Sequence, residues 1–304
     1  MRRHRTAIGV MAVLVLILVA GVVYLLRDPL PRFRERRSSL ASVVEGETTI
    51  EYGFALTPAH LTAKSGLSLD LVVRRAIVDS GRTLPLAVIL GGHYKGREAA
   101  RMLGDTRGVV AVALSYPFTG DPRPDAATFL REIPKIRAAF LDTPPAIMLA
   151  LDYLRRLPDV DTTQVEAIGV SLGAPFVCIA GALDQRFTRV WSIHGSGGSY
   201  VPLEANMRRS IPFTPLRAVA AGISNVIIDG PRLDPVRWVG RIAPRPFMMV
   251  NAEGDERLPR PAVDELYAAA REPKELIWMP GIHVHGDSAT IHRLVEIVMS
   301  RVRR

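Results

Sequence analysis

The sequence predicts an α/β fold with a doubly wound, mostly parallel sheet, preceded by an N-terminal transmembrane helix. Three observations predict it. Short β-branched apolar runs alternate with segments whose apolar residues recur at helical spacing, the pattern of successive β-α units. Several runs end in turn residues, as fully buried strands of a parallel sheet do. Ahead of them, Thr6–Leu26 is about 21 residues without a charge, long enough to span a bilayer as a helix.

Composition narrows the class. The 304 residues, 48% hydrophobic and 23% charged, suffice for the core of one large domain. The formal charge of +9 is concentrated at the start, where residues 1–40 hold eight Arg against Asp28 and Glu35, leaving about +3 for the rest. That distribution suits a membrane flank. Basic residues are not interleaved with aromatics in a stripe, so no nucleic-acid partner is expected. The one cysteine, Cys178, excludes an internal disulfide and a cysteine-based zinc site.

In chain order, Arg2, Arg3 and Arg5 precede the apolar run and Arg27, Arg32, Arg34, Arg36 and Arg37 follow it. Its length predicts an uncleaved single-pass anchor over residues 1–26 holding the domain at a lipid bilayer, with a cleaved signal as the alternative. A short Arg-rich N-terminus retained inside places the domain outside the cytoplasm, although the five following Arg pull the other way. Residues 27–44, rich in Pro, Arg and Ser, read as a tether, and 45–304 as the folded domain. Strand-like alternation covers Thr48–Phe54 and Leu67–Ile77, and continuous apolar runs cover Leu84–Leu90 and Val109–Leu114. Arg97–Leu103 reads as helical. Asp142-Thr143-Pro144 opens a helix, with a capping residue before an early proline. Further strands are expected at Val165–Val170, Arg189–His194, Pro246–Asn251 and Glu275–Met279. Helices are expected at Leu172–Leu183, Arg260–Ala270 and Asp287–Val302. The stretch 195–242 lacks clear periodicity and is longer than a plain connection, which suggests a cap insertion.

The most informative stretch is Gly169-Val170-Ser171-Leu172-Gly173, between an expected strand and an expected helix. G-x-S-x-G in that context is a nucleophile elbow, in which a strained turn projects the serine hydroxyl and the flanking glycines leave room for it. A serine needs a base to take its proton and a carboxylate to orient the base. Two strand ends downstream supply them. Asn251-Ala252-Glu253-Gly254-Asp255 offers Asp255, with Glu253 in reserve. Pro280-Gly281-Ile282-His283-Val284-His285 offers His283, directly after the strand-ending Pro-Gly, with His285 as the alternative. His194 ends another strand and reads as a structural histidine.

From about Leu67 onward the chain resembles the α/β hydrolases, nearest to the dienelactone hydrolase and acetyl xylan esterase-like branch. The residues that carry the resemblance are Leu90-Gly91-Gly92-His93, Leu157-Pro158-Asp159-Val160-Asp161, Gly169–Gly173, Gly254-Asp255 and Pro280–His283. It implies Ser171 as nucleophile, Asp255 as acid and His283 as base. The oxyanion donors it implies are the Leu172 N–H and an N–H of Gly92 or His93, and it implies no cofactor or metal. The expected activity is hydrolysis of a small-molecule ester or thioester through an acyl-enzyme. The alternatives are an acyltransferase or peptidase using the same residues, or a non-catalytic binding module on the same scaffold.

Overall fold

A computed structural model describes residues 27–92, 96–121, 125–284 and 288–302, together with residues 11, 16, 21, 23 and 24. Among these, no helix is long and apolar enough to cross a membrane. Most of the span expected at Thr6–Leu26 lies outside the described residues.

The segment expected as a tether is folded. Helix α1 (Leu30–Arg36) buries Phe33 to 1% exposure in the main core, and Arg32 and Arg36 both pair with the buried Asp142. Just upstream, the Tyr24 hydroxyl accepts a 2.8 Å hydrogen bond from Arg232. Strand β1 (Leu40–Glu45) then joins the sheet, so the domain begins well before residue 45.

The sheet has ten strands among the described residues. Its antiparallel half is β1, β2 (Thr49–Glu51), β3 (Phe54–Ala63) and β4 (Ser68–Ala76). Strand β4 pairs antiparallel with β6 (Val110–Leu114), and from there every pairing is parallel. The parallel half runs β6, β5 (Leu84–Leu90), β7 (Val160–Val170), β8 (Arg189–Ile193), β9 (Phe247–Ala252) and β10 (Lys274–Met279). The order reverses on either side of β5, and ligands bind at such a switch point in open parallel sheets.

Side chains alternate across the strands, so each strand feeds two cores. Leu86, Val88 and Leu90 of β5 face a core shared with α1, α2 (Ala126–Leu154), α3 (Gly173–Leu183) and α8 (Arg260–Ala269). Ala87 and Ile89 face a second core, closed by Leu294, Val298 and Met299 of the last helix, α9 (Ser288–Val302). The expected helix at Arg97–Leu103 is a 3₁₀ turn at Gly96–Arg101.

Helix α2 differs most from expectation. Its N-cap is Asp125, whose side chain accepts the Thr128 N–H, and it continues through Pro134, Pro144 and Pro145, so that no helix opens at Asp142. A proline removes a helical N–H, and here Thr143 Oγ1 donates to the Ala139 carbonyl at 2.7 Å. Burial of Ile147, Leu149, Ala150, Leu151 and Leu154 overrides the local proline signal. Between β8 and β9, the stretch 195–242 forms four short helices: α4 (Tyr200–Asn206), α5 (Thr214–Ile227), α6 (Gly230–Leu233) and α7 (Val236–Val239). Trp238 in α7 is core, with its Nε1–H on the Arg232 carbonyl.

Candidate active site

Ser171 follows the last residue of β7 and is held at φ +53°, a left-handed conformation that a non-glycine residue adopts only when its surroundings enforce it. They do. Its N–H donates to the Ile193 carbonyl at the end of β8 (2.8 Å), and its carbonyl accepts from the Ala174 N–H (3.0 Å). The flanking glycines are steric requirements. A Cβ on Gly169 would stand 2.6 Å from the Gly173 carbonyl oxygen, and one on Gly173 would collide with the Leu90 carbonyl at the end of β5.

The raised hydroxyl meets a histidine. Ser171 Oγ and His283 Nε2 are 2.8 Å apart. His283 stands on the loop after β10, with its backbone N–H on a Glu256 carboxylate oxygen (3.1 Å). Its Nδ1 lies 2.8 Å from Asp255 Oδ2 and 3.0 Å from Oδ1. Asp255 follows β9 and also accepts the backbone N–H groups of Arg257 (2.9 Å) and Leu258 (3.0 Å) on Oδ1. Burial alone would raise its pKa. Hydrogen bonds from His194 and His283, the charge of His283 and the Arg257 N–H outweigh that and hold the carboxyl well below the usual carboxylate range. An ionised Asp255 only accepts, so the proton in this contact is carried by His283 Nδ1.

The structure therefore brings Ser171, His283 and Asp255 together. Glu253, the reserve acid, is exposed and its N–H bonds to the Met279 carbonyl, so it stands apart from the cluster. Leu172 caps the start of α3, where the first N–H groups have no intrahelical partner. Gly92 lies against the serine, with a Cβ there falling 3.6 Å from Ser171 Cβ. Tyr116 donates to the Gly91 carbonyl at 2.7 Å and fixes that loop. His93 and His285 lie outside the described residues.

His194, read from the sequence as a structural histidine, is hydrogen-bonded to Asp255 and so belongs to the cluster. Its side chain is fully buried, its Nδ1 is 3.0 Å from Asp255 Oδ2, and its ring stacks edge-on against His283 at 4.9 Å. Its Nε2 has no hydrogen-bond partner among the described residues. The sequence signal was its place at a strand end, directly after β8. Ligand-type atoms of His194, Asp255 and His283 lie within 4.8 Å of one another, but each pair in contact is at hydrogen-bond distance and Ser171 occupies the remaining His283 nitrogen.

Two cavities open on Ser171. One, of about 390 Å³, lies under α4 and α6 and is lined by Leu172, His194, Leu203, Leu233 and His283 as well as Ser171. The other, of about 430 Å³, lies on the α9 side of the sheet. Arg257 borders both and was not singled out from sequence.

Solved structures share this architecture. Acetyl xylan esterase 1 from Thermoanaerobacterium sp. JW/SL YS485 superimposes with a TM-score of 0.63 at 15% identity, covering 91% of this chain and 94% of that one. An acetyl xylan esterase from Paenibacillus sp. R4 gives 0.60 at 16%, covering 88% and 92%. Methylesterase BT1017 gives 0.59 at 18%, covering 88% of this chain and 61% of its own. The chain has an α/β-hydrolase fold. At these identities the likeness carries the fold alone, and in an α/β-hydrolase fold activity is argued from the site. No family model matches the chain. Among curated relatives, the uncharacterized protein YfhR of Salmonella typhi is 27% identical over 161 residues, 49% of this chain and 50% of the relative. Its counterpart in Salmonella typhimurium is 27% identical over 158 residues. The chain thus spans about half the length of the curated relatives it matches.

Proposed function

We propose that the protein is a serine hydrolase that cleaves a carboxylic ester or thioester through an acyl-enzyme. The observation that carries this reading is the hydrogen-bonded chain from Ser171 Oγ through His283 to the ionised Asp255, set on a strained strand-to-helix turn. Ser171 Oγ attacks the carbonyl carbon while its proton passes to His283 Nε2, and Asp255 stabilises the imidazolium. The oxyanion forms beside the Leu172 N–H, with Gly92 across the cleft as the second donor. As the tetrahedral species collapses, the bond to the leaving oxygen or sulfur breaks and His283 returns the proton to it. Water then repeats the sequence on the acyl-enzyme and releases the acid. The esterases among its structural neighbours are consistent with this chemistry. The test is kcat/KM for p-nitrophenyl acetate. Ser171→Ala lowers it by more than about a thousandfold. A loss of less than tenfold overturns the assignment.

The apolar run Thr6–Leu26, with arginines on both sides, supports a second proposal. It holds this domain at a bilayer, on the extracytoplasmic face. The full chain then stays with carbonate-washed membranes and external protease digests the domain. Release by carbonate overturns the anchor.

A further inference from the structure

The two cavities at Ser171 differ in a residue that decides their roles. The 390 Å³ cavity is lined by His283 as well as Ser171. The 430 Å³ cavity reaches Ser171, Gly91 and Gly92, and its described lining does not include His283. In ester cleavage the histidine must reach the leaving oxygen to protonate it, so the alcohol half of the substrate occupies the His283 side. The acyl half, attached to the carbon that Ser171 attacks, is left with the other cavity.

We propose that the 430 Å³ cavity is an acyl pocket for an unbranched aliphatic chain of medium length, a reading that rests on the serine hydrolase function above. Its walls are aliphatic: Ile89, Ile168 and Ile193 from the sheet, and Leu294, Val298 and Met299 from α9. Arg257 and Ser171 are common to both cavities, and every other described residue lining the 430 Å³ one is apolar or glycine. The space has a structural cause. Among the described residues between β5 and β6, this face of the sheet is covered by a 3₁₀ turn and the residues after it, which contribute Ala99, Met102 and Leu103 to the lining, where the longer helices α2, α3 and α8 cover the opposite face. The lining residues of α9 run from Ile291 to Met299, a rise of about 12 Å, matching an extended acyl chain of about ten carbons. An acetyl group would leave most of this apolar surface unfilled. Each further methylene buried there raises kcat/KM by about fourfold until the cavity is full.

The experiment measures kcat/KM of the full chain on p-nitrophenyl esters from acetate to dodecanoate, for the parent, Leu294→Trp and Val298→Phe. The parent is expected to climb at least a hundredfold from acetate to octanoate or decanoate and fall at dodecanoate. Leu294→Trp, which fills the cavity, lowers the octanoate-to-acetate ratio at least thirtyfold, and Val298→Phe lowers it less. Decanoate raises the melting temperature of the parent more than that of either variant, a readout independent of turnover. A parent that prefers acetate to octanoate, or an unchanged chain-length order in both folded variants, overturns the acyl pocket while Ser171-dependent hydrolysis leaves the serine hydrolase standing. Ester cleavage that does not depend on Ser171 overturns both.

Discussion

His194 places its Nδ1 3.0 Å from the same Asp255 oxygen that lies 2.8 Å from His283 Nδ1. Two histidines thus hold one carboxylate, and the second fixes the rotamer of the group that orients the first. His194→Phe keeps an aromatic ring and deletes the donor. It is expected to lower kcat by about tenfold to a hundredfold, the worth of one hydrogen bond to a buried charge. KM should change little, because His194 acts through Asp255. A kcat within twofold of the parent would assign His194 to packing only.

Asp255 also links folding to pH. Its carboxyl is held below the ordinary range in the folded state, so its contribution to stability is complete above the unfolded carboxylate pKa and is lost as pH falls toward the depressed folded value. Asp255→Asn should therefore be less stable than the parent near neutrality, with the gap narrowing below about pH 4. Urea midpoints across pH measure this. A gap that stays constant down to acid would mean that the carboxylate is not held as described.

The elbow admits no side chain at Gly173, where a Cβ would meet the Leu90 carbonyl. Gly173→Ala is expected to cost about 1–3 kcal/mol and to displace the Gly91-Gly92 segment, so stability and turnover fall together. Full activity with an unchanged melting temperature would contradict the close approach of α3 to β5.

Much of this was legible because it is local. Strand, G-x-S-x-G and helix are adjacent in sequence, and Asp255 and His283 each stand on a turn just after a strand. Glu253 and Asp255 flank a glycine, and only the fold decides that Asp255 faces inward. The N-terminal segment was misread for the opposite reason. Its arginines resemble a solvated tether until Asp142, more than a hundred residues away, pairs with Arg32 and Arg36. Asp142 in turn looked like a cap before Pro144, because local signals cannot register a helix kept continuous by its buried face.

Phe33→Ala should cost about 3–5 kcal/mol, as truncation of a fully buried aromatic does. Deleting residues 1–40, harmless to a tether, should destabilise the domain severely by also leaving Asp142 buried without its two partners. A truncated chain that melts with the parent would restore the tether.

Cys178 is buried within α3, and burial pushes its thiol up to about 12. The folded protein should resist alkylation by iodoacetamide at neutral pH and react stoichiometrically in denaturant. Rapid labelling of the native state would show that α3 opens readily.

In the proposed mechanism Ser171 is the nucleophile activated by His283. A fluorophosphonate probe reacts covalently only with an activated serine, so the direct measurement is labelling of the full chain followed by peptide mapping. Stoichiometric modification is expected at Ser171, absent in Ser171→Ala and slowed at least a hundredfold in His283→Ala. Modification at a different residue, or an unlabelled parent that is folded, would contradict it.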